Sequence, residues 1–480
     1  MCKSFGVAVT FCGTLRPLGR SAIMTRELLS GNNDASKDRI KVLFATMPLD
    51  EHVMPMISLA ITLKQAGYDV RWYTQERFAA QLANFEIPHY PFVRPPQFHS
   101  DNLAEVFPGR SGITADHKLI RHDLRELMIR RGPEYFEDLK KIHESFPFSM
   151  VVSDLGFTGI PFINRLMQIP VIALGLHPLK ESSVLLPPYG TGETPASSRL
   201  SRLRVGIQRF IQENFTHRNL SILQQRMHYP YGIRGTGHVH DDMISHSTIV
   251  LQSGSPGFEY PRHDMSDHIR FCGPVLAPPA NKEKYWMGHH GTYEHTILVS
   301  QDRNDGDPNA LIVPVLDAYC NSNARVIAIT RGRDTEQLRQ RYTCSNVIIE
   351  DDIDWDDVMP YADVFVGQGN HQEVLKCIRH KLPMVIAGWR ACRKEVGARV
   401  AHFTLGQHIR TDRPSRESLS RGIDAVLKDP RYLHHTRTLA DEFLQYDPAQ
   451  MLLRFVQLLS RGYHVAGTPL KVRPIDFTDL

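Results

Sequence analysis

The sequence predicts an α/β protein with two doubly wound domains that face each other across a cleft. Short apolar runs rich in β-forming residues alternate with helix-like segments in the first half of the chain, and the alternation starts again after residue 295. A chain of 480 residues is too long for one compact core and suits two domains. Between the two series, residues 274–295 show little periodicity and hold Pro274, Pro278 and Pro279, which is typical of a linker.

The first series opens with a βαβ unit. Lys41–Thr46 is expected to form a strand, and Pro55–Ala66 carries apolar residues at helical spacing. Gly67 ends this helix, and Asp69–Tyr73 is the next expected strand. Such a unit places parallel strands in one sheet with a right-handed crossover. The same pattern predicts two further strands, Met150–Ser153 and Val171–Leu174.

The second series repeats the pattern after the linker. A helix is predicted at Ala310–Ala318, and one or two helices at Leu439–Leu459 close the chain. The predicted strands of this series are Thr296–Ser300, Arg325–Thr330, Val347–Ile349, Val364–Val366 and Met384–Ala387.

The predicted domain organisation follows from these segments. The first domain spans residues 39–273, the linker 274–295, the second domain 296–440, and closing helices with a tail 441–480. Residues 1–38 are predicted to be a disordered extension. Residues 1–26 carry four basic side chains and no acidic one, so a transit peptide is an alternative, as is a true start at Met24.

Composition narrows the classes of function. A net charge of only +4 gives no case for a nucleic-acid partner, which would need a concentrated basic face. No apolar run approaches the roughly 18 residues that a membrane-spanning helix needs, so no transmembrane segment is expected. The seven cysteines are odd in number, scattered and without a CxxC pair. They favour a reducing compartment, hence the cytoplasm, and argue against a disulfide framework and a zinc site.

Residues 361–400 carry the most informative pattern. The apolar run Val364–Val366 leads into a turn with Gly367 and Gly369, then a helix-like segment, Leu382-Pro383 and the apolar run Met384–Ala387. This arrangement resembles the nucleotide-sugar signature of a family 1 glycosyltransferase. Other segments that resemble the family are Pro48–Met56, Leu251–Gly273, Thr296–Pro314, Asp363–Val400, Arg410–Pro414 and Val426–Phe443.

Together these segments resemble a GT-B glycosyltransferase of family 1, closest to the bacterial and fungal macrolide or UDP-glycosyltransferase subgroup, over about residues 40–460. The resemblance implies two Rossmann-like domains, the first for the acceptor and the second for the nucleotide sugar. It implies that the last helix packs back on the N-terminal domain. It also implies a UDP-linked sugar as co-substrate, with no bound cofactor and no metal. The oligomeric state is left open.

The resemblance places a catalytic pair at His52 and Asp154. An inverting transfer needs a base for the acceptor hydroxyl, and a neutral His suits this task when a carboxylate fixes its tautomer. His52 follows the first strand, and Asp154 directly follows the strand Met150–Ser153. Both would therefore lie at the carboxyl ends of parallel strands, where ligands bind in such sheets. The alternative is that His52 is structural and Asp154 only caps the next helix.

The donor site implied by the resemblance departs from the family pattern. Its predicted residues are Ser300, Arg303, Thr330, Arg331, Gln368, Gly369, Asn370, His371, Gln372 and Lys376. The usual glycine-rich turn keeps only Gly369, and Glu373 adds negative charge where a diphosphate would lie. Lys376 stands where the family has a ribose-binding carboxylate, and it has no acceptor atom to offer. Arg303 and Arg331 either offset this charge or form a solvated rim.

Two classes of function remain open at this point. One is an active glycosyltransferase that moves a hexose from a nucleotide diphosphate to a hydroxyl of a lipophilic small molecule. Its acceptor is expected to contact apolar residues of the N-terminal domain such as Phe157 and Phe162. The other is a weak or inactive relative with an eroded donor site, which would act as a binding or partner protein.

Overall fold

The computed structural model of the protein describes residues 39–99, 102–196, 198–278, 293–301, 307–464 and 473–474. The predictions for residues 1–38, for Arg303 and for residues 279–292 of the linker lie outside these ranges. Within them, no helix combines the length and the apolar character that a membrane crossing requires.

Seven parallel strands form the first sheet. They are β1 (Lys41–Ala45), β2 (Asp69–Thr74), β3 (His89–Pro91), β4 (Met150–Asp154), β5 (Val171–Gly175), β6 (Ile249–Ser253) and β7 (Ile269–Gly273). Their order is β3-β2-β1-β4-β5-β6-β7. Val42 of β1 lies opposite Val70 of β2 on one side and opposite Met150 of β4 on the other. The strand order therefore changes direction between β1 and β4.

A second sheet of six parallel strands has the same winding. Its strands are β8 (His295–Ser300), β9 (Ala324–Ile329), β10 (Val347–Glu350), β11 (Val364–Gly367), β12 (Met384–Ala387) and β13 (Gly406–Ile409). They lie in the order β10-β9-β8-β11-β12-β13, so this sheet changes direction between β8 and β11. A short pair, β14 (Tyr463–His464) and β15 (Arg473–Pro474), follows near the end of the chain.

Helices connect the strands. In the first half they are α1 (Asp50–Val53), α2 (Ile57–Gln65), α3 (Ala79–Ala83), α4 (Leu103–Val106), α5 (Asp116–Asp123), α6 (Gly132–Ser145), α7 (Ile160–Phe162), α8 (Arg199–Ile211), α9 (Arg218–His228) and α10 (Val239–His246). In the second half they are α11 (Ile312–Tyr319), α12 (Thr335–Arg341), α13 (Trp355–Val358), α14 (His371–Arg379), α15 (Arg393–His402), α16 (Arg416–Lys428), α17 (Pro430–Phe443) and α18 (Pro448–Ser460).

Each sheet is covered on both faces. Val42 and Phe44 of β1 belong to one hydrophobic core, whereas Leu43 and Ala45 belong to another. The residues of β8 are divided between two further cores in the same way. A parallel strand that is buried on both faces needs apolar residues at every position, which explains why these strands stand out in the sequence as continuous apolar runs.

The last long helix returns to the first sheet, as the resemblance implied. Leu452, Phe455 and Val456 of α18 are buried in the core that also contains Val42 and Phe44. The helix before it, α17, instead contributes to a core of the second sheet. The closing segment is therefore two helices. Between α17 and α18 the chain crosses from the second sheet to the first.

Every strand predicted from the sequence is present, to within one residue at each end. Six strands of the described residues were missed, namely β3, β6, β7 and β13 of the two sheets and the short pair β14 and β15. β3 has only three residues, and β3 and β13 are edge strands with polar or half-buried residues, so neither shows a long apolar run. β6 overlaps the segment Leu251–Gly273 and β7 lies within it, and this segment was assigned by its resemblance to the family and not by its periodicity.

One expectation about the cysteines is corrected by the structure. Cys320 and Cys344 form a disulfide, with their Cα atoms 5.8 Å apart, whereas Cys272, Cys377 and Cys392 are free thiols. Cys320 lies at the end of α11 and Cys344 shortly before β10. The two residues are 24 positions apart in the sequence, and only the fold of the second sheet brings them together.

The return of α18 gives a stability test. Leu452 is fully buried, whereas Leu444, in the turn before α18, is 78% exposed. We expect Leu452→Ala to lower the free energy of unfolding by about 2–5 kcal/mol, because it opens a cavity in the first core. The matched change Leu444→Ala is expected to stay within about 0.5 kcal/mol of the parent. Urea denaturation measures both, and equal effects would contradict the packing of α18.

Candidate active site

The change of strand direction in the first sheet brings His52 and Asp154 together. Side chains that follow neighbouring parallel strands project from the same edge of the sheet, and a crevice forms where the order reverses. His52 lies in α1, just after β1, and Asp154 is the last residue of β4, the neighbour of β1. His52 Nδ1 lies 2.6 Å from Asp154 Oδ1.

The Asp154 carboxylate is held by more than this contact. It is 1% exposed, and it accepts hydrogen bonds from the backbone amides of Met47 and Gly156, each at 2.8 Å. These two amides belong to the loops that follow β1 and β4. A carboxylate with this many donors is fixed in direction, so it can orient the His52 ring with Nδ1 protonated and Nε2 as the lone pair.

The charges around His52 favour its protonated form, which suits a side chain that accepts a proton. Burial lowers its pKa, but the charge of Asp154, its hydrogen bond and the charge of Glu51 outweigh this, and the pKa is raised above the ordinary value. Lys180 acts in the opposite direction to these carboxylates. The net effect is that a proton accepted at Nε2 is stabilised by the neighbouring carboxylates.

His177 is a residue of this site that the sequence did not reveal. It follows β5, and its Nε2 lies 3.4 Å from His52 Nε2. The nearest carboxylate oxygen of Glu51 is 3.9 Å from each of these two nitrogens. Burial, and then Lys180, lower the pKa of His177 well below its ordinary value, so this ring is neutral. The position of His177, at the end of a predicted strand, was the one signal for it.

On the donor side, the side chains that follow β8, β9 and β11 converge. Ser300 ends β8, Arg331 follows β9, and Glu373 lies in the first turn of α14, after β11. Ser300 Oγ and Arg331 Nη2 both lie 3.4 Å from Glu373 Oε1. Arg331 also donates to Asp352 at 3.0 Å. The buried carboxylate of Glu373 therefore accepts the hydrogen bonds that these side chains could give to a phosphate.

The N-terminus of α14 has backbone amides that could bind an anion, but a side chain of the protein already caps them. Gly369 has a φ of +90°, a conformation that only glycine adopts easily, and it turns the chain from β11 into the helix. The Asn370 side chain then accepts from the amides of Gln372 and Glu373, at 3.0 and 3.3 Å. A diphosphate that used these amides would have to displace Asn370.

His371 and Gln372 join this helix to the first sheet. Gln372 Nε2 lies 3.5 Å from the carbonyl oxygen of Leu176, the residue before His177. His371 stacks on Phe258 with a centroid distance of 6.1 Å, and burial with the nearby Arg399 lowers its pKa to about 3. Neither ring nitrogen of His371 has a hydrogen-bond partner within the described residues. The start of α14 thus lies beside the loop that carries His177.

The remaining predicted donor residues have mixed environments. Gln368 is 1% exposed, with its carbonyl against Gly388, and the Thr330 hydroxyl lies 2.5 Å from that of Thr335. The Lys376 ammonium lies 5.6 Å from the centre of the Trp355 ring, which Arg331 also approaches at 4.9 Å. Burial is the main cause of the lowered pKa of Lys376.

The two phenylalanines predicted to contact an acceptor are core residues. Phe157 is fully buried, with its ring 4.5 Å from that of Tyr135, and Phe162 is fully buried among Phe136, Tyr231 and His228. Neither ring offers surface to a ligand, so this expectation is corrected. Apolar residues near strand ends are more often packed beneath a site than exposed in it.

A buried ion network, also missed from the sequence, joins the two halves. Arg399 of α15 donates to Glu259 at 2.7 Å and to Glu395 at 3.1 Å, and all three are at most 6% exposed. Glu395 also accepts from the amides of Gly190 and Gly192, in the loop after β5. Burial opposes the charge of Arg399, but its two carboxylate partners raise its pKa above the ordinary value.

Comparison with known proteins finds similar glycosyltransferases, although no protein-family model matches the chain. It is 29% identical over 413 residues to 4'-demethylrebeccamycin synthase of Lentzea aerocolonigenes, covering 85% of this chain and 96% of that protein. It is 23% identical to UDP-glycosyltransferase 2 of Phaeomoniella chlamydospora, covering 87% and 95%. The crystal structure of the calicheamicin glycosyltransferase CalG4 superposes with a TM-score of 0.66 at 16% identity, covering 88% and 99%. The chain therefore has the GT-B fold of these solved structures, and the proteins that it resembles in sequence are glycosyltransferases.

Proposed function

We propose that the protein is an inverting glycosyltransferase that moves a hexose from a UDP-linked sugar to a hydroxyl group of a lipophilic small molecule. The observation that carries this proposal is the hydrogen bond between His52 and Asp154 at the strand-order reversal of the first sheet. The names of the relatives agree with it, since several are UDP-glycosyltransferases.

In the proposed reaction, His52 Nε2 accepts the proton of the acceptor hydroxyl as its oxygen attacks the anomeric carbon. The bond from that carbon to the diphosphate breaks on the opposite face, so the configuration inverts and the nucleoside diphosphate leaves. Asp154 holds the Nδ1 proton and stabilises the imidazolium that forms, together with the charge of Glu51. His177 must move aside or yield its contact with Nε2 for the acceptor to reach it.

The division of labour between the two halves is part of the proposal. Residues 39–273 would bind the acceptor and residues 296–440 the donor, joined by the linker 274–295. The diphosphate would lie at the start of α14, beside Gly369 and Asn370, with Arg331, which contacts Glu373 in the first turn of this helix, as a cation within its reach. The sequence predicted the cytoplasm from cysteines without a disulfide, and the Cys320–Cys344 disulfide removes that reason.

The donor site favours a second candidate, a weak or inactive relative that acts as a binding or partner protein. Glu373 already accepts the bonds from Ser300 and Arg331, and Asn370 already caps the helix. Lys376 lies against Trp355 and has no acceptor for ribose hydroxyls. These contacts occupy Ser300, Arg331 and the Asn370 cap without a nucleotide sugar.

The first test concerns the base. We expect His52→Ala to lower turnover about 10²–10⁴-fold, because it removes the group that accepts the proton in the transition state. Binding of UDP is expected to stay near the parent value, since the base does not contact the donor in this proposal. Asp154→Asn should also lower turnover, because it no longer fixes the tautomer of His52. Initial rates and calorimetric UDP titration measure the two effects separately.

The matched control is His263→Ala, which changes an exposed histidine outside the site. It is expected to leave both rate and binding unchanged. If His52→Ala retains the parent rate, His52 is structural and the proposed mechanism is wrong.

The second test concerns the donor site. We expect the unmodified protein to bind UDP weakly, and Glu373→Ser to tighten binding at least about tenfold, because it removes a carboxylate from the place of the diphosphate. Lys376→Glu, which restores an acceptor for ribose hydroxyls, is expected to add to this gain. The control Glu417→Ser removes the same charge from an exposed position on α16 and should change nothing.

The outcomes separate the two candidates. Tight UDP binding by the unmodified protein would show that the donor site is intact and that Glu373 does not oppose the diphosphate. An absence of UDP binding in the parent and in both variants would favour the partner-protein candidate.

A further inference from the structure

We propose that Glu51, His52 and His177 form a binding site for a divalent transition metal such as Zn²⁺, and that the bound metal blocks the base. The three residues come from two segments. The helix α1, which follows β1, carries Glu51 and His52, and the loop after β5 carries His177. The inference that the metal inhibits rests on the proposed function, whereas metal binding itself does not.

The distances among the three ligand atoms fit one metal ion. His52 Nε2 and His177 Nε2 are 3.4 Å apart, and Glu51 Oε1 is 3.9 Å from each. A point equidistant from the three atoms lies about 2.2 Å from each, close to the bond lengths that Zn²⁺ makes with imidazole nitrogen and carboxylate oxygen. Two histidines and one glutamate are also a ligand set that zinc sites with an open position use.

The atoms behind the ligands are arranged as a metal site requires. Asp154 accepts the Nδ1 proton of His52, which leaves Nε2 as the ligand atom and fixes the direction of the ring. Asp154 is in turn fixed by two backbone amides. Such a carboxylate behind a ligating histidine raises its basicity and limits the rearrangement that metal binding needs.

The charge and access of the site also favour a dication. Glu51 and Asp154 bring two negative charges, and Lys180, the cation whose charge acts on both His52 and His177, offsets one of them. The site therefore has a net negative charge before a metal binds. The Glu51 side chain is 39% exposed, whereas the two histidine side chains are at most 14% exposed. Solvent reaches the site on the Glu51 side, which leaves room for a water ligand.

This inference goes against the sequence expectation that the chain has no metal site. That expectation rested on neighbouring histidines and cysteines, whereas His177 is 125 positions away from His52. The alternative explanation of the short distance between the two nitrogens is a direct hydrogen bond between the histidines, with Nε2 of His177 as donor. Glu51 is a ligand in the metal site but takes no part in a hydrogen bond between the two histidines. The effect of a Glu51 variant on metal binding therefore distinguishes the two explanations.

The experiment titrates the full, tag-free and chelator-treated protein with Zn²⁺ by calorimetry and with Co²⁺ by visible absorption. We expect one site, with a Co²⁺ spectrum typical of low coordination number. Glu51→Gln and His177→Ala should each weaken binding at least tenfold, and Glu51→Gln keeps the shape of the side chain. The control variants Glu417→Gln and His263→Ala should bind as the parent does. No binding by the parent, or equal binding by the parent and Glu51→Gln, would overturn the site.

The functional half of the inference has its own readout. Zn²⁺ is expected to inhibit sugar transfer by the parent, because it takes the Nε2 lone pair that accepts the proton, and excess chelator should restore the rate. Glu51→Gln is expected to resist this inhibition at the same Zn²⁺ concentration. Binding without inhibition would overturn the blocking role. If the protein shows no measurable turnover, calorimetry and the Co²⁺ spectrum still test whether the metal site exists. Failure of the proposed function is therefore distinguishable from failure of the metal site.

Discussion

The candidate active site depends on one buried carboxylate, that of Asp154. It ends β4 and accepts from the amides of Met47 and Gly156, besides its contact with His52. These bonds fix the loop after β1 to the loop after β4 across the point where the strand order reverses. An ionised carboxylate is costly to bury unless its oxygens are satisfied, and here the groups that satisfy it are the ones that shape the site. The direction of His52, and with it the position of Nε2 beside His177 and Glu51, follows from this anchor.

The second half of the cleft uses carboxylates in a different way. Glu373 accepts from Ser300 and Arg331, and Glu395 accepts from the amides of Gly190 and Gly192 as well as from Arg399. In each case a side chain of the protein satisfies donors that would suit an anionic ligand. The contact through Glu395 also joins α15 to a loop of the first half.

The sequence predicted the fold far better than the site, and the reason is physical. Strands such as Met384–Ala387 are buried on both faces, so their apolar runs are local signals that need no knowledge of the rest of the molecule. Edge strands such as Gly406–Ile409 lack that signal. His52 and Asp154 were predicted as a pair by the family resemblance and not by their positions after strands alone, and the structure places Nδ1 and Oδ1 of the two residues 2.6 Å apart. Three features depend on which strands become neighbours and so could not be predicted: the position of His177, the disulfide of Cys320 and the Glu259–Arg399 pair. Phe157 is buried in the core, so an apolar residue near a strand end does not reveal whether its side chain faces the cleft or the core.

The two halves of the site impose opposite electrostatic requirements that meet at His177. In the proposed mechanism, the departing nucleoside diphosphate needs positive potential at the start of α14, whereas His52 as the base needs negative potential. The charge of Lys180 lowers the pKa of His371, at the start of α14, of His177 and of His52, whereas Asp154 and Glu51 raise the pKa of His52. The neutral ring of His177 separates the two regions, within reach of His52 on one side and next to Leu176, which contacts Gln372, on the other. A dication beside His52 would neutralise the negative region, so the feature that makes His52 a suitable base is also what makes the site attractive to a metal.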